Sequence, residues 1–284
     1  MLSTNIAIFD PLARSLRAHP PFAVRLGQAD RQTAAAPGLS PMLDALYPAA
    51  GIAALRYFAD CGAAPTGQVI AADPAYLRAE ARGVRVMALG ELALDEAQTR
   101  EISAELAPIF AEHEMHLCTP NPVRWYLQSL RSRPELSSTE PALLLGAQLL
   151  GALPSNVFWQ RLFNDVQIAL AQMPSQQLRA ASGLLPVNGL WFWGAGALAA
   201  TPKYVVRCES TDPTLRGLVL ATQNFPLIAT VPKLPLMNVY DLRSQPERWR
   251  ELAHGTQCWF TSGERFVLKR GQPLKFWRKP VSAP

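Results

Sequence analysis

Only four histidines occur among 284 residues, His19, His113, His116 and His254, and imidazole is the side chain on which most acid–base and metal chemistry near neutral pH relies. His113 and His116 stand beside Glu112, Glu114 and Cys118, ligand types that a divalent cation could use. Their spacing falls at the exit of a helix, however, and no second ligand cluster accompanies them, so they are read as solvated polar side chains. The sequence contains no H-E-x-x-H, no G-x-S-x-G and no G-x-x-x-x-G-K-[ST], so the common zinc, serine-nucleophile and phosphate-loop chemistries lack their parts. Cys61, Cys118, Cys208 and Cys258 show no C-x-x-C spacing and are read as reduced structural thiols, neither a zinc knuckle nor a redox pair. The acidic pairs Asp95/Glu96 and Glu101/Glu105 fall on one exposed helical face, where solvation is the default role. No metal and no cofactor is expected from these residues.

Two other constellations could bind without reacting. Asp165 and Gln167 lie on a helical stretch, followed by Arg179, Asn188, Trp191 and Trp193. If that helix packs on the Trp191/Trp193 strand, these polar groups could line a pocket with aromatic walls, in which Arg179 pairs an anion and Asn188 adds a directional hydrogen bond. Capping and inter-element hydrogen bonds account for the same residues equally well. The second constellation is Arg265, Lys269, Arg270, Lys275, Arg278 and Lys279, interleaved with Phe266, Phe276 and Trp277. That mixture suits a polyanion surface, although a terminal hairpin with a charged, solvated edge gives the same string and is the stronger reading. The charge is concentrated there: residues 1–201 hold 14 Lys and Arg against 16 Asp and Glu, whereas residues 202–284 hold 13 against 6.

The elements that must position these residues read as mixed α and β. Residues 1–40 contain Pro11, Pro20, Pro21 and Pro37, a density that breaks long helices and suggests a segment lying across a core built elsewhere. A helical stretch follows over 42–60, with Gly51 as a break point. Val69–Ala72 reads as a buried strand ending at Asp73-Pro74, which would open a helical turn. A strand at 84–88, a helix at 95–110 and helices at 142–150 and 155–173 come next. Asn188-Gly189 supports a turn into a strand, Leu190 to Trp193, apolar on both faces. Thr211-Asp212-Pro213 starts another helix, and strands are expected near 227–230, 237–241, 258–260, 265–269 and 274–277, with a helix at 246–253. The fold class is α/β, a mixed and mainly buried central sheet with helices on both faces. The expectation is one domain over 1–284, with the alternative of two lobes, 1–130 and 142–284, joined by the polar, Pro-containing segment 131–141.

With 49% hydrophobic and only 17% charged residues, the chain can build a large core, and disordered and fibrous classes are excluded. The longest apolar stretch, Ala142 to Leu153, is interrupted by Gln148 and falls short of the roughly 20 residues a membrane span needs. The first ten residues lack a basic segment and place Asp10 where a secretory leader would be apolar, so a cytoplasmic location is expected.

The run from Asn164 through Met173-Pro174, Arg179 and Gly183 to Leu185-Pro186-Val187-Asn188-Gly189-Leu190-Trp191-Phe192-Trp193-Gly194-Ala195-Gly196 resembles the signature of the RpfE-type regulatory protein family of proteobacteria. So do Ala72-Asp73-Pro74-Ala75-Tyr76-Leu77-Arg78, Asn121-Pro122-Val123-Arg124-Trp125-Tyr126-Leu127 and Lys275-Phe276-Trp277-Arg278-Lys279-Pro280. The central run, roughly residues 155–200, is also similar to a segment of archaeal-type cofactor-independent phosphoglycerate mutases of the alkaline-phosphatase superfamily. That resemblance implies a hydroxyl nucleophile and two divalent metals held by Asp and His clusters. Here no histidine follows an aspartate directly or at four residues, and Met173 and Gln176 stand where the pattern has His and Asn.

The resemblance and the departures together imply a non-catalytic cytoplasmic regulatory protein on a degenerate phosphoglycerate-mutase-like scaffold that lacks the two-metal site. Three other readings remain open at this point: a binder of a phosphorylated or carboxylated metabolite through the Arg179 constellation, a binder of nucleic acid or an acidic macromolecule through the basic strip, and a working mutase. No membrane partner is expected.

Overall fold

The computed structural model describes residues 5–198, 201–224, 234–268 and 281. It is a mixed α/β structure whose sheets are flanked by helices, divided into two compact units: residues 49–199, and residues 1–48 with 200–284. The strands therefore form two sheets, one in each unit, and the middle of the chain is an insertion in a unit made from its two ends.

The chain starts with β1 (Asn5–Phe9), α1 (Leu12–Ala18), α2 (Pro20–Gln28), the short β2 (Asp30–Arg31) and α3 (Ser40–Leu46). The prolines set boundaries here rather than preventing helices: Pro20 and Pro41 occupy first-turn positions of α2 and α3, where no amide is needed. Contrary to the expectation for residues 1–40, β1 is core, and Ile6, Ala7, Ile8 and Phe9 are fully buried.

The inserted unit contains α4 (Ile52–Cys61), β3 (Gln68–Glu80), β4 (Gly83–Leu89), α5 (Glu96–Ala111), β5 (Met115–Cys118), β6 (Tyr126–Ser129), α6 (Pro141–Leu144), α7 (Val157–Gln172), α8 (Pro174–Ala181) and β7 (Gly189–Gly196). Asp95 caps α5 through a reciprocal box with Gln98, the arrangement that satisfies two orphan donors at once. The sheet is antiparallel, ordered β4-β3-β6-β5, with β7 on the other edge of β3. Asp73-Pro74 does not end the strand, because β7 pairs along residues 69–75 while the opposite edge is shared by β6 at 68–71 and β4 at 75–80. Pro74 falls between those two partners, where its missing N–H breaks no ladder bond.

Between α5, α7 and β7 the core is aromatic. The Phe192 ring meets Phe110 edge-on with centroids 6.4 Å apart and Trp159 at 5.8 Å, and Trp191 meets Phe163 at 6.5 Å. Rings of this size carry much of a core's burial. Residues 131–141, expected as a linker, lie inside this unit and are fastened to it: the Trp159 and Trp191 indoles donate to the carbonyls of Pro134 and Thr139. The segment's polarity reflects capping of buried N–H groups rather than a boundary.

The chain then returns to the outer unit as β8 (Val205–Glu209), α9 (Pro213–Gln223), β9 (Leu236–Asp241), a 3₁₀ helix (Pro246–Glu251), β10 (Gln257–Phe260) and β11 (Arg265–Val267). The sheet order is β2-β11-β10-β1-β9-β8. Strands β10, β1, β9 and β8 are mutually parallel, and β11 and β2 extend the sheet antiparallel. On one side Phe9, Phe22, Phe260, Phe266 and Trp249 stack together, with Phe9–Phe22 centroids at 4.9 Å and Phe22–Trp249 at 5.1 Å. On the outer edge of β8, side chains of α9 take the place of a partner strand at one residue: Val206 N–H donates to Thr222 Oγ1 and Gln223 Nε2 donates to Val206 O. The strands expected at 227–230 and 274–277 lie outside the described residues. Among the described residues no helix is long and apolar enough to cross a membrane.

Candidate functional site

In open sheets of parallel strands, ligands meet the protein at the strands' carboxyl ends, which makes the ends of β1, β9 and β8 the first place to look for chemistry. Asp241 is the last residue of β9, Ser210 follows β8, and Asp212 is the N-cap of α9. Arg243 joins them. Its Nε lies 2.8 Å from Asp241 Oδ1, and its Nη2 lies 2.7 Å from Asp241 Oδ2 and 3.0 Å from Asp212 Oδ2. Ser210 Oγ donates to Asp241 Oδ2 at 2.5 Å, and Asp212 Oδ1 accepts the amides of Thr214 and Leu215 at 2.7 and 3.3 Å. All four carboxylate oxygens thus already accept hydrogen bonds.

The cluster is largely shielded, with Asp241's side chain 8% exposed and Arg243's 21%. Burial alone would raise the Asp241 pKa, but the hydrogen bonds and charge of Arg243 overcome it and hold the carboxyl below its ordinary value. Arg243 is raised in turn, since the two carboxylates outweigh its desolvation. Burial, reinforced by the nearby Asp241 charge, pushes the Cys208 thiol up to about 12, so it is protonated and unreactive at neutral pH. One guanidinium between two carboxylates leaves a net single negative charge.

This donor set does not fit a pair of catalytic cations. A metal needs open oxygen or nitrogen lone pairs, and here a fixed positive charge stands against both carboxylates while Ser210 and the Thr214 and Leu215 amides take further acceptor sites. Among the described residues no group of three or more His, Cys, Asp or Glu is arranged to hold a metal. The histidines serve elsewhere: His19 lies at the junction of α1 and α2, the His113 ring packs edge-on against Phe158 at 5.2 Å, and His116 and His254 are exposed.

The residues expected to line a pocket are all in the inserted unit, and most of them bind the fold itself. Arg179 is buried, and its guanidinium donates to Leu92 O, to Leu185 O at 3.1 and 3.3 Å and to Gln98 Oε1 at 2.7 Å. Asn188 makes a two-point contact with the backbone of Leu77, accepting from N–H at 2.8 Å and donating to the carbonyl at 2.7 Å. It substitutes for a strand partner where β3 is bulged between Tyr76 and Leu77. The Trp191 indole donates to Thr139 O, and the Trp193 indole to Asp73 Oδ2 at 2.8 Å. Gln167 is half-buried and Asp165 is exposed on α7. The structure brings Trp191 and Trp193 onto β7, with Asn188 directly before it. Of the basic strip, Arg265 packs flat on the Trp259 ring, with Cζ 3.6 Å from the centroid, while Lys269, Arg270, Lys275, Arg278 and Lys279 lie outside the described residues.

Two polar groupings escaped the sequence reading. Besides the Asp212/Asp241/Arg243 cluster, the inserted unit holds a buried ion pair: Arg56 Nη1 lies 3.0 Å from Asp73 Oδ2, and Arg56 Cζ stands 4.7 Å from the Trp193 ring centroid and 5.8 Å from that of Tyr126. Tyr126 OH donates to Asp60 at 2.6 Å, and Arg124 pairs with the same carboxylate at 2.7 and 2.9 Å. The available signal was a charged residue inside an apolar run: Arg56 in α4 between Leu55 and Phe58, and Asp73 after Val69-Ile70-Ala71-Ala72.

The sequence matches no protein-family model and no curated protein. Among solved structures, the chain is similar to the cofactor-independent phosphoglycerate mutase from Thermoplasma acidophilum DSM 1728, at 11% identity and a TM-score of 0.41, covering 94% of this chain and 89% of that one. It is also similar to the PH0037 protein from Pyrococcus horikoshii, at 12% identity and a TM-score of 0.39, covering 85% of this chain and 62% of that one.

Proposed function

We propose that this chain is a cytoplasmic regulatory protein of the RpfE type, built on a phosphoglycerate-mutase-like scaffold and acting by binding rather than by metal-assisted phosphoryl transfer. One observation carries the reading: at the carboxyl ends of β8 and β9, every oxygen of Asp212 and Asp241 is held by Arg243, Ser210 or the first amides of α9. A guanidinium there supplies fixed positive charge without the exchangeable coordination sites a two-metal mechanism requires. The excess of Lys and Arg in residues 202–284 supports an anionic partner.

The test is calorimetric titration of the purified chain with Mn²⁺ and Zn²⁺, alongside interconversion of 2- and 3-phosphoglycerate in the presence of each metal. Neither stoichiometric binding nor turnover is expected. Stoichiometric metal accompanied by mutase turnover would overturn the proposal.

A further inference from the structure

Two cysteines far apart in the sequence are brought together by the inserted unit. Helix α4 places Tyr57 and Cys61 one turn apart, so both project from one face. Cys118 ends β5 and lies in register with Tyr126 of β6. Two attachments then fix the end of α4 against this corner of the sheet. The Tyr57 and Tyr126 rings meet edge-on with centroids 5.6 Å apart, and Asp60, adjacent to Cys61, takes the Tyr126 hydroxyl at 2.6 Å and Arg124 at 2.7 and 2.9 Å. These attachments gather the Tyr57 hydroxyl and the Cys61 and Cys118 thiols at one corner of the unit, where Cys118 adds to the effect of burial in raising the Cys61 pKa. Both thiols are free and half-buried.

We propose that Cys61 and Cys118 form a reversible disulfide on exposure to hydrogen peroxide, clasping the end of α4 to the end of β5. One thiolate attacks a peroxide oxygen, the O–O bond breaks, and that sulfur becomes a sulfenic acid as the first water leaves. The second thiol's sulfur attacks the sulfenic sulfur, the S–O bond breaks, and hydroxide departs with the thiol proton as the second water. The two sulfurs lose two electrons in all, and the peroxide gains them. The bond requires the two Cβ atoms to stand about 3.5–4.5 Å apart, and the Tyr57 and Asp60 attachments hold the two segments side by side for it. Burial pushes the Cys61 thiol up to about 11, so the reaction is slow at neutral pH and answers to sustained oxidant. The other two thiols cannot compete: Cys258 is fully buried on β10, and Cys208 is on β8, with β1 and β9 between them.

The reduced full-length chain is treated with excess hydrogen peroxide, quenched with N-ethylmaleimide, and mapped by mass spectrometry of unreduced tryptic peptides. The expected product is a peptide pair joined through Cys61 and Cys118, with Cys208 and Cys258 alkylated. Because the bond closes a long loop, the melting temperature should rise by about 5–10 °C and return on adding dithiothreitol. Cys61→Ser and Cys118→Ser should each abolish the cross-link and the rise. Cys118→Ala serves as a second variant should serine at that position prevent folding. Quantitative alkylation of both cysteines after exposure, separate oxidation of each to sulfinic acid, or a cross-link through a different cysteine would each overturn the proposal.

Discussion

Replacing Asp73 with asparagine tests whether the buried ion pair organises the inserted unit. Asp73 is 3% exposed and Arg56 is 7% exposed, so neither charge has water to fall back on. In the folded chain the guanidinium faces Asp73 Oδ2 at 3.0 Å, the same oxygen accepts the Trp193 indole at 2.8 Å, and Arg56 Nη2 reaches Oδ1 at 3.4 Å. At such separations, with an effective dielectric constant of about 20, the attraction is about 4 kcal/mol. Asparagine keeps the shape and an acceptor for Trp193 but removes the charge, stranding Arg56. Asp73→Asn should therefore cost about 3–5 kcal/mol, and Arg56→Met a comparable amount by stranding Asp73. The double variant leaves no orphaned charge and still satisfies the indole, so it should lose about 1–2 kcal/mol, far less than the sum. Urea unfolding followed by tryptophan fluorescence reads the midpoints and slopes. A cost below about 1 kcal/mol for Asp73→Asn, or a double variant equal to the sum of the singles, would refute the reasoning.

Three further outcomes follow from the geometry. In Gly196→Ala, the added Cβ would stand 2.5 Å from Gly51 Cα. The backbones must separate, so thermal unfolding should show a loss of about 1–3 kcal/mol, and no loss would mean the two backbone segments are not in contact. Asn188→Ala removes both bonds to Leu77 and should cost about 1–3 kcal/mol, with hydrogen exchange at the Leu77 amide accelerating before that of its strand neighbours; unchanged protection there would contradict the assignment. Asp241 has a folded pKa below its ordinary 3.8, so its contribution is present above that value and is lost as pH falls through the folded pKa. Removing the Arg243 side chain takes away the charge and the two side-chain hydrogen bonds that do most to oppose burial, so the melting-temperature gap between wild type and Arg243→Ala should shrink from pH 6 to pH 3, and a constant gap would count against it.

Local patterns were legible wherever one residue type dictates the backbone. Asp95 and Asp212 announce helix starts because a short carboxylate can reach the orphan amides, and both helices begin directly after them. Gly51 divides two helices as expected, and the run Leu190 to Trp193 is buried on both faces. Partnerships across long sequence distances were not legible. Pro74 reads as a strand terminator until its place between two successive partner strands is known. The first strand reads as a proline-rich periphery because the strands flanking it, β9 and β10, lie at the far end of the chain. For the candidate site, Arg179 and Asn188 were legible as polar groups beside apolar segments, but nothing local told a ligand's partner from a carbonyl's. Arg243 went unnoticed since its significance lies in meeting Asp212, and that meeting is made by the parallel pairing of β8 with β9.

The order in which the ribosome delivers these elements follows from the insertion. Gly51 N–H donates to the Ala197 carbonyl at 3.1 Å, so both ends of the inserted unit meet within it, and it can close as soon as its last strand has emerged. In the outer unit, Lys203 N–H donates to Leu46 O at 3.0 Å, yet β1 must wait for β9 and β10 before either of its edges is paired. Throughout synthesis the apolar Ile6-Ala7-Ile8-Phe9 is therefore a solitary sticky strand tethered to a finished neighbour, the state in which nascent chains aggregate or engage chaperones. Truncation after the insertion should accordingly leave a product with one completed unit and a bare, association-prone leader.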